Sequence, residues 1–299
     1  MSLAFARANA FEQSQPLFRY FSDILGTTPA LPQLTVNLFS GGRHAGGQVA
    51  IQDVLVAPRS PQTIDKALAM TWAVYQSAAD LTRDKYGMRA LSADEGGLAP
   101  PFPDAETMLA DAVQAIELAG LRVHEDVALA MDVAASHFYA GGVYHLGNQP
   151  ISSQEMVETL GTWLDHYPII SVEDGLAEDD WDNWPALCSK LRGRSLTLGD
   201  DFLCTNPHRI QRAIDAQAAD ALLLKVNQIG TLTEAAEAYR LARDSGWEVV
   251  ISARSGETED NWLADLSVGW SGDYIKVGSV TQSERLAKYN RLLEIETGY

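Results

Sequence analysis

Residues 169–174 read IISVED, an apolar run that ends in two carboxylates. Similar apolar runs recur at regular intervals along the chain, and each is followed by a helical pattern. The other runs are VALAMDV (127–133), SLTLGD (195–200), ALLLKV (221–226), EVVIS (248–252) and YIKVG (274–278). Strands that are apolar on both faces and alternate with helices predict a parallel sheet covered by helices.

Two further apolar runs lie ahead of this regular part, at LTVNLFS (34–40) and DVLVAP (53–58), and a glycine-rich link joins them. Long helical patterns follow at about 61–86 and 104–119, and the link between them contains DEGGLAPPFP, which is too rich in glycine and proline for a helix. The predicted order is ββαα(βα)6, and its eight strands can close a TIM-type α/β barrel. At the N-terminus, LAFARANAFEQS has helical spacing and stops before Pro16.

Composition and charge exclude several classes of function. The length of 299 residues suits one α/β barrel, and the formal net charge of -18 disfavours nucleic acid or an anionic membrane as a partner. No apolar run approaches a membrane span, and the N-terminus lacks the apolar core and cleavage site of a signal peptide. The isolated Cys188 and Cys204 predict free thiols in a reducing cytosol. We therefore expect a cytoplasmic protein, in which local cations or metal ions hold any anionic substrate.

Carboxylates stand at the ends of three successive predicted strands. The third strand ends at Asp132, the fourth at Glu173 and Asp174, and the fifth at Asp200 and Asp201. Catalytic groups of βα barrels gather at these ends, and oxygen ligands from separate strands are what Mg²⁺ requires. The sequence therefore predicts a Mg²⁺ site formed by Asp132, Glu173 and Asp200. The alternative is that the acidic residues cap the following helices, a role that suits Asp174 and Asp201.

Three further polar features fall near the predicted barrel mouth. Lys225 lies in the apolar stretch LLLKVNQIG, which is unfavourable unless its side chain points into a polar cavity. Burial and a nearby metal ion would lower its pKa and suit a general base, while a structural salt bridge to a carboxylate is the alternative. Glu95 is on a loop able to close over the mouth, unless it is simply an exposed loop acid. Arg254 and Ser255, in ISARSGETED (251–260), indicate an anion site.

Several stretches together resemble enolase (phosphopyruvate hydratase) over nearly all of the chain. They are GGRHAGG, DEGGLAP, YPIISVEDGLAEDDW, LGDDFLCTN, LLLKVNQIGTLTE, RSGETED, IKVGS and RLAKYNRLLEIE. The resemblance is to the C-terminal barrel of enolase, which also has the order ββαα(βα)6. It implies a single enolase-like barrel domain over residues 1–299, with residues 1–30 as an N-terminal helix and lead-in.

The resemblance implies a catalytic or metal-binding role for five residues. Asp132, Glu173 and Asp200 match the family's ligands for the first Mg²⁺. Lys225 matches the base that removes the proton next to the substrate carboxylate, and Glu95 matches the acid that helps hydroxide to leave. A lysine or histidine base that works with one or two Mg²⁺ ions is the known scheme of the enolase superfamily, and it comes with the resemblance.

The resemblance also implies residues that bind the substrate. Lys276 matches the lysine that binds the substrate carboxylate, and Arg254 and Ser255 match the pair that binds phosphate. His44 and Gln52 match further active-site residues on the first two strands. The implied activity is that of a Mg²⁺-dependent lyase, which removes the α-proton of 2-phosphoglycerate and eliminates water to give phosphoenolpyruvate.

The chain departs from the enolase motifs at three positions. Ala253 stands in place of a histidine that borders the leaving hydroxyl. Asp53 stands in place of a glutamate that also borders the leaving hydroxyl, and it is one methylene shorter. Arg43 stands in place of the serine before the family's GGSH histidine. We therefore expect a remodelled pocket for the β-substituent of the substrate.

The smaller α+β domain that precedes the enolase barrel, with the loop serine that ligates a second Mg²⁺, matches none of the 299 residues. We expect turnover of 2-phosphoglycerate by this chain alone to be far below that of a full enolase. A separate chain that carries the missing domain, or a homo-oligomer, would cover the barrel edge.

Two other functions remain open. An enolase-like dehydratase of a related phospho- or phosphono-substrate, of the carboxyphosphonoenolpyruvate synthase type, would use the room left by Ala253 and the charge of Arg43. It would belong to phosphonate biosynthesis rather than glycolysis. A non-catalytic or split enolase-derived protein that needs a partner chain is the alternative from another class.

Overall fold

The computed structural model describes residues 1–87, 91–147 and 149–298. The strands are β1 Gln33–Ser40, β2 Asp53–Pro58, β3 Val127–Asp132, β4 Tyr139–Ala140, β5 Val143–Tyr144, β6 Ile169–Glu173, β7 Leu196–Gly199, β8 Ala221–Leu224, β9 Glu248–Ser252 and β10 Tyr274–Lys276. The α-helices are α1 Ser2–Glu12, α2 Leu17–Leu25, α3 Ile64–Tyr86, α4 Ala105–Leu118, α5 Ser153–His166, α6 Trp184–Leu191, α7 Pro207–Ala216, α8 Val226–Ile229, α9 Leu232–Asp244, α10 Trp262–Gly269 and α11 Ser283–Gly298. Short 3₁₀ turns span Gly42–Ala45 and Ala135–Phe138.

A closed barrel forms from the strands in the order β1-β10-β9-β8-β7-β6-β3-β2, so the predicted α/β barrel with the order ββαα(βα)6 is confirmed. β4 and β5 form a separate small hairpin. Strand β3 is buried along its whole length, as expected for a strand that has the barrel core on one face and helices on the other.

Strand β2 runs against its two neighbours, whereas the other pairs in the barrel are parallel. The link between β1 and β2 holds only one 3₁₀ turn, and a parallel connection would need a full crossover helix. The chain therefore turns straight back at the mouth of the barrel. As a result, the start of β2 lies beside the ends of β1 and β3, where Asp53 pairs with Ser40 and Asp132.

Several predicted strands end earlier than expected. Asp174, Asp200 and Lys225 all lie just beyond the last residue of their strands. Asp174 has a positive φ of 44° and accepts hydrogen bonds from the backbone N–H groups of Asp200 and Asp201. The polar residues therefore belong to the loops of the mouth, where side chains bind backbone groups that have left the sheet.

Helix α2 was not predicted from the sequence. Pro16 caps its start, Gly26 ends it in the left-handed conformation, and Phe18 and Phe21 form its buried face. This face packs against α10, where Gly269 lies directly beneath Phe18 and Phe21. The signals were present in the sequence, because proline before and glycine after an apolar stripe are typical of a short helix. No helix in the described ranges is long and apolar enough to span a membrane.

Candidate active site

A cavity of about 390 Å³ lies at the mouth of the barrel, at the carboxyl ends of the parallel strands. It gathers most of the residues predicted from the sequence, which are His44, Gln52, Glu95, Asp132, Asp200, Lys225, Arg254, Ser255 and Lys276, together with Ala253 and Arg43. Glu173 and Asp53 are bonded to members of this set. His44 and Gln52 lie in the link before β2 rather than on the first two strands, which corrects the prediction of their position.

The ammonium of Lys276 joins two of the predicted metal ligands. Its Nζ lies 2.8 Å from Oδ2 of Asp132 and 2.8 and 2.7 Å from the two carboxylate oxygens of Glu173. Lys276 is only 7% exposed, and both carboxylates are also buried. Gln52 donates a further hydrogen bond of 3.2 Å to Oδ2 of Asp132. Lys276 therefore supplies the positive charge that two buried carboxylates need.

The pKa directions in this group follow from burial and charge. Burial lowers the pKa of Lys276, but Asp132 and Glu173 outweigh burial and hold that pKa well above its ordinary value. Burial raises the pKa of Asp132, but the charge of Lys276 outweighs it and the net direction is downward. Burial and the charge of Asp132 raise the pKa of Glu173 well above its ordinary value. One ammonium is thus shared by two carboxylates, and Glu173 is the one that favours a proton.

Lys225 and Asp200 form the second buried pair. Nζ of Lys225 donates to Oδ2 of Asp200 at 2.5 Å, and Gln228 donates to the other oxygen of Asp200 at 2.9 Å. Thr205 accepts from the backbone N–H of Lys225 at 2.9 Å and donates to Gln228 at 3.0 Å. The lysine, its carboxylate and the supporting amide are therefore fixed by one hydrogen-bonded group.

The expected lowering of the Lys225 pKa refers to a site that holds a metal ion, and it stays a prediction. Burial does lower this pKa, but the charges of Asp200 and Glu173 outweigh burial and raise it above the ordinary value. The expectation for the Lys225 pKa considered the effects of burial and of a metal ion, but not the effect of the carboxylates that would hold the ion. A neutral Lys225 therefore requires that the negative charge around it be offset.

A second cluster at the cavity contains His44, Asp53 and Glu95, whose ligand atoms lie within 4.8 Å of one another. Nδ1 of His44 lies 3.2 Å from Oδ2 of Asp53, and Ser40 donates to Oδ1 of Asp53 at 2.5 Å. Asn37 donates to Glu95 at 3.1 Å. Glu95 is 9% exposed, so the alternative of an exposed loop acid is wrong.

Arg254 and Ser255 lie exposed on the loop after β9, at the rim of the cavity. Their backbone carbonyls accept hydrogen bonds of 2.8 and 2.6 Å from the guanidinium of Arg285. Arg285 belongs to α11 and is fully buried. The loop therefore has a rigid anchor, while the side chain of Arg254 forms no hydrogen bond or ion pair with another described residue and is available to an anion.

Residues 28–298 match the family described as the enolase C-terminal TIM barrel domain. This chain is an enolase-family barrel. The family membership and the barrel agree with the resemblance read from the motifs. Helices α1 and α2 lie ahead of the matched residues.

The enolase family binds Mg²⁺, and the donor chemistry of this barrel fits that ion. Asp132, Glu173 and Asp200 stand at or just after the ends of β3, β6 and β7, which are neighbours in the barrel, and all three are hard oxygen donors that are buried. Their carboxylates surround lysine ammonium groups, so the site already accommodates positive charge. Among the described residues, the acidic groups with ligand atoms within 4.8 Å are the His44 cluster and the group of Asp174, Asp200 and Asp201. The predicted trio is not one of these groups, and its role as the ligand set stays a prediction.

Asp53→Asn is expected to reduce the pH dependence of the free energy of unfolding between about pH 4 and about pH 6. Burial raises the pKa of Asp53 from its ordinary 3.8 to about 6, although its bond to His44 lowers it in part. The unfolded chain therefore loses this proton at lower pH than the folded enolase barrel does. Stability falls as pH rises through this window, by up to about 3 kcal/mol. Urea unfolding of both proteins at several pH values measures the difference.

The control for Asp53→Asn is Asp244→Asn, which removes one carboxylate from an exposed position at the end of α9. The control should keep the pH dependence of the wild-type enolase barrel. A pH dependence in Asp53→Asn equal to that of the wild type would contradict the assignment of this titration to Asp53.

Several supporting residues of this enolase barrel were missed from the sequence. Ser40, Asn37, Thr205 and Arg285 each position a predicted residue, and His137 forms part of the cavity wall. Ser40 and Asn37 belong to a strand whose apolar run hid them. A histidine five residues after a predicted ligand was a usable signal for His137, since it follows the end of β3 closely.

Proposed function

We propose that this enolase barrel catalyses a Mg²⁺-dependent elimination of water from a small phosphorylated carboxylate. The first candidate substrate is 2-phosphoglycerate, and the product would be phosphoenolpyruvate. One observation carries the proposal. The cavity has a buried lysine beside Asp200 on one wall and the buried acid Glu95 in a cluster with His44 and Asp53, so a base and an acid face one space.

Binding of the substrate follows from the cations of the cavity. The side chain of Arg254 forms no hydrogen bond or ion pair with another described residue, and together with Ser255 it would hold the phosphate. Lys276, which also lines the cavity, would hold the carboxylate. In a chain with a net charge of -18, these local cations are what make binding of an anion favourable.

The proton next to the carboxylate passes to Lys225. The neutral amine accepts the proton and becomes an ammonium beside Asp200, which stabilises it. The electron pair of the broken C–H bond remains on the substrate, where its charge is shared with the carboxylate beside Lys276. Bound to Asp132, Glu173 and Asp200, Mg²⁺ would offset the negative charge that raises the Lys225 pKa and stabilise the added charge on the substrate carboxylate.

The second half of the reaction takes place at Glu95. The electron pair forms the carbon–carbon double bond as the bond to the β-hydroxyl breaks. Glu95 acts as the acid that gives a proton to the departing hydroxide, so that water leaves. Asp53, which is bonded to His44, matches the family residue that borders the same hydroxyl.

The test is exchange of the α-proton of 2-phosphoglycerate with deuterated water, followed by NMR with the purified chain and Mg²⁺. The proposed function predicts exchange at the α-carbon together with formation of phosphoenolpyruvate. Exchange without product would mean that the base and metal work but that 2-phosphoglycerate is not the substrate. No exchange, with either this chain alone or a supplied N-terminal enolase domain, would contradict 2-phosphoglycerate as the substrate and favour a different substrate or a binding protein.

A larger phospho- or phosphono-carboxylate is the second candidate substrate. The observation that favours it is the wall of the cavity, where Ala253 adds almost no side-chain volume and Arg43 adds a cation. Both residues depart from the enolase motifs, and the base, Lys276 and the phosphate pair do not. The chemistry would be unchanged, while the β-carbon would carry, beside its hydroxyl, a further group in place of one hydrogen of the hydroxymethyl of 2-phosphoglycerate.

A further inference from the structure

A second cavity of about 770 Å³ adjoins the cavity at the barrel mouth. We call it the outer cleft. Arg43 and His137 line both cavities, so they stand at the boundary between them. The outer cleft is also lined by Gln48, Phe138, His145 and Leu146. The space at the mouth therefore continues past these two side chains into a larger one.

The outer cleft is wide because one of its walls has few side chains. The 3₁₀ turn Gly42–Ala45 is followed by Gly46 and Gly47, which have φ values of +76° and +78°. A Cβ atom at either glycine would meet nothing within 4 Å among the described residues. The left-handed conformation favours glycine at both positions, so this wall stays bare.

Two groups at the boundary can serve a ligand. The guanidinium of Arg43 is exposed and forms no hydrogen bond or ion pair with another described residue. Nδ1 of His137 is buried and has no hydrogen-bond partner in the described part of the chain. In contrast, Lys225 and Lys276 are both bonded to carboxylates. A cation without a partner among the described residues, beside a histidine that lines both cavities, forms a site for an anion.

The place of Arg43 in the cavity wall gives the direction of the ligand. Arg43 lines the cavity at the mouth together with His44 and Glu95, which belong to the cluster with Asp53. In the proposed function this cluster is on the side of the leaving hydroxyl. A substituent on the carbon that bears this hydroxyl would therefore point toward Arg43 and the outer cleft.

We infer that the outer cleft is a subsite for a second anionic group of the substrate. This group, a carboxylate or a phosphonate on the β-carbon, binds Arg43 and His137. The inference rests on the proposed function and specifies its substrate class as a phosphorylated hydroxy acid that carries a further anion. A substrate of the size of 2-phosphoglycerate leaves the outer cleft unfilled.

The test compares two ligands that differ by one carboxylate. They are 2-phosphoglycerate and the monophosphate of tartaric acid, which adds a carboxylate to the hydroxyl-bearing carbon. Their dissociation constants are measured by calorimetry with Mg²⁺ in a Lys225→Ala background, so that neither ligand is consumed. We expect the tartaric acid monophosphate to bind at least about 10-fold more tightly, because a hydrogen bond between charged groups in a partly buried site is strong.

Arg43→Ser in the same background is expected to reduce the ratio of the two dissociation constants, 2-phosphoglycerate over tartaric acid monophosphate, to about 1. The reason is that the added carboxylate loses its cation. Arg59→Ser is the matched control, since Arg59 is exposed just after the far end of β2, away from the mouth. Arg59→Ser also removes one positive charge, and it is expected to leave the ratio of the two dissociation constants unchanged. Equal affinities for the two ligands, or a ratio that survives Arg43→Ser, would overturn the subsite.

Failure of the subsite and failure of the proposed function give different results. If the chain with Lys225 exchanges the α-proton of 2-phosphoglycerate while the two ligands bind equally, the subsite fails and the function stands. If tartaric acid monophosphate binds in an Arg43-dependent manner while neither ligand exchanges its α-proton, the function fails and the subsite stands. Binding of neither ligand overturns the subsite.

Discussion

Replacing Lys225 with alanine is expected to slow exchange of the substrate α-proton by about 100- to 10,000-fold, which is the usual contribution of a general base. Nζ of Lys225 is the buried amine that faces the cavity beside Asp200. The same variant should still bind Mg²⁺, because Gln228 continues to hold Asp200 and the carboxylates remain. Exchange is followed by NMR in deuterated water, and Mg²⁺ binding is measured by calorimetry.

Lys225→Arg separates a base from a structural salt bridge. Arginine keeps the positive charge next to Asp200 but does not give up its proton at accessible pH. If Lys225 is the base, exchange is lost in both variants, whereas Lys225→Arg retains most of the folding stability. Exchange that persists in Lys225→Arg would mean that the lysine serves only as a partner for Asp200.

Lys276→Met is expected to lower the free energy of unfolding by about 3–5 kcal/mol at neutral pH in buffer without Mg²⁺. The substitution removes the only ammonium bonded to both Asp132 and Glu173 in the described residues, and it leaves two buried carboxylates without compensation. Millimolar Mg²⁺ should restore much of the loss, since the ion would supply the missing charge. Lower pH should also restore part of it, because Glu173 takes up a proton readily.

The matched control is Lys190→Met, which removes an ammonium from the surface pair with Glu158. Surface pairs contribute little, so its effect should stay within about 1 kcal/mol and should not depend on Mg²⁺. Urea unfolding with and without Mg²⁺ measures both variants. A loss in Lys276→Met that is no larger than in the control would show that the two carboxylates do not rely on Lys276.

The barrel could be predicted because the sequence patterns that indicate it lie within single strands and helices. The strand around Val172 and its equivalents are largely apolar, and polar residues such as Glu173 and Asp200, at or just beyond the ends of their strands, mark the mouth. The reversed direction of β2 was not predicted, because it depends on how the link after Ser40 folds. Helix α2 was missed for a different reason, since its nine residues gave too short a stripe to stand out.

The sequence indicated which residues form the candidate site, but not which of these residues bond to one another. The bond between Lys276 and Asp132 joins positions 144 residues apart and arises from the closed order of the strands. No local pattern shows that one ammonium serves two carboxylates. The upward direction of the Lys225 pKa was missed for the same reason, because it depends on Asp200 and Glu173 from other strands.

The pairing of β1 with β10 has a consequence for folding kinetics. Thr35 donates a hydrogen bond to the carbonyl of Ile275, so the barrel closes between segments 240 residues apart. Contacts of such high sequence separation form slowly, because the entropy of a long loop must be lost before they bring any stabilisation. Until this closure, β1 and β10 are open edges that can pair with another chain. Lys276 lies on β10, and its bonds to Asp132 and Glu173 span 144 and 103 residues, so the charge that compensates these carboxylates depends on contacts of the same slow-forming kind as the closure of the ring.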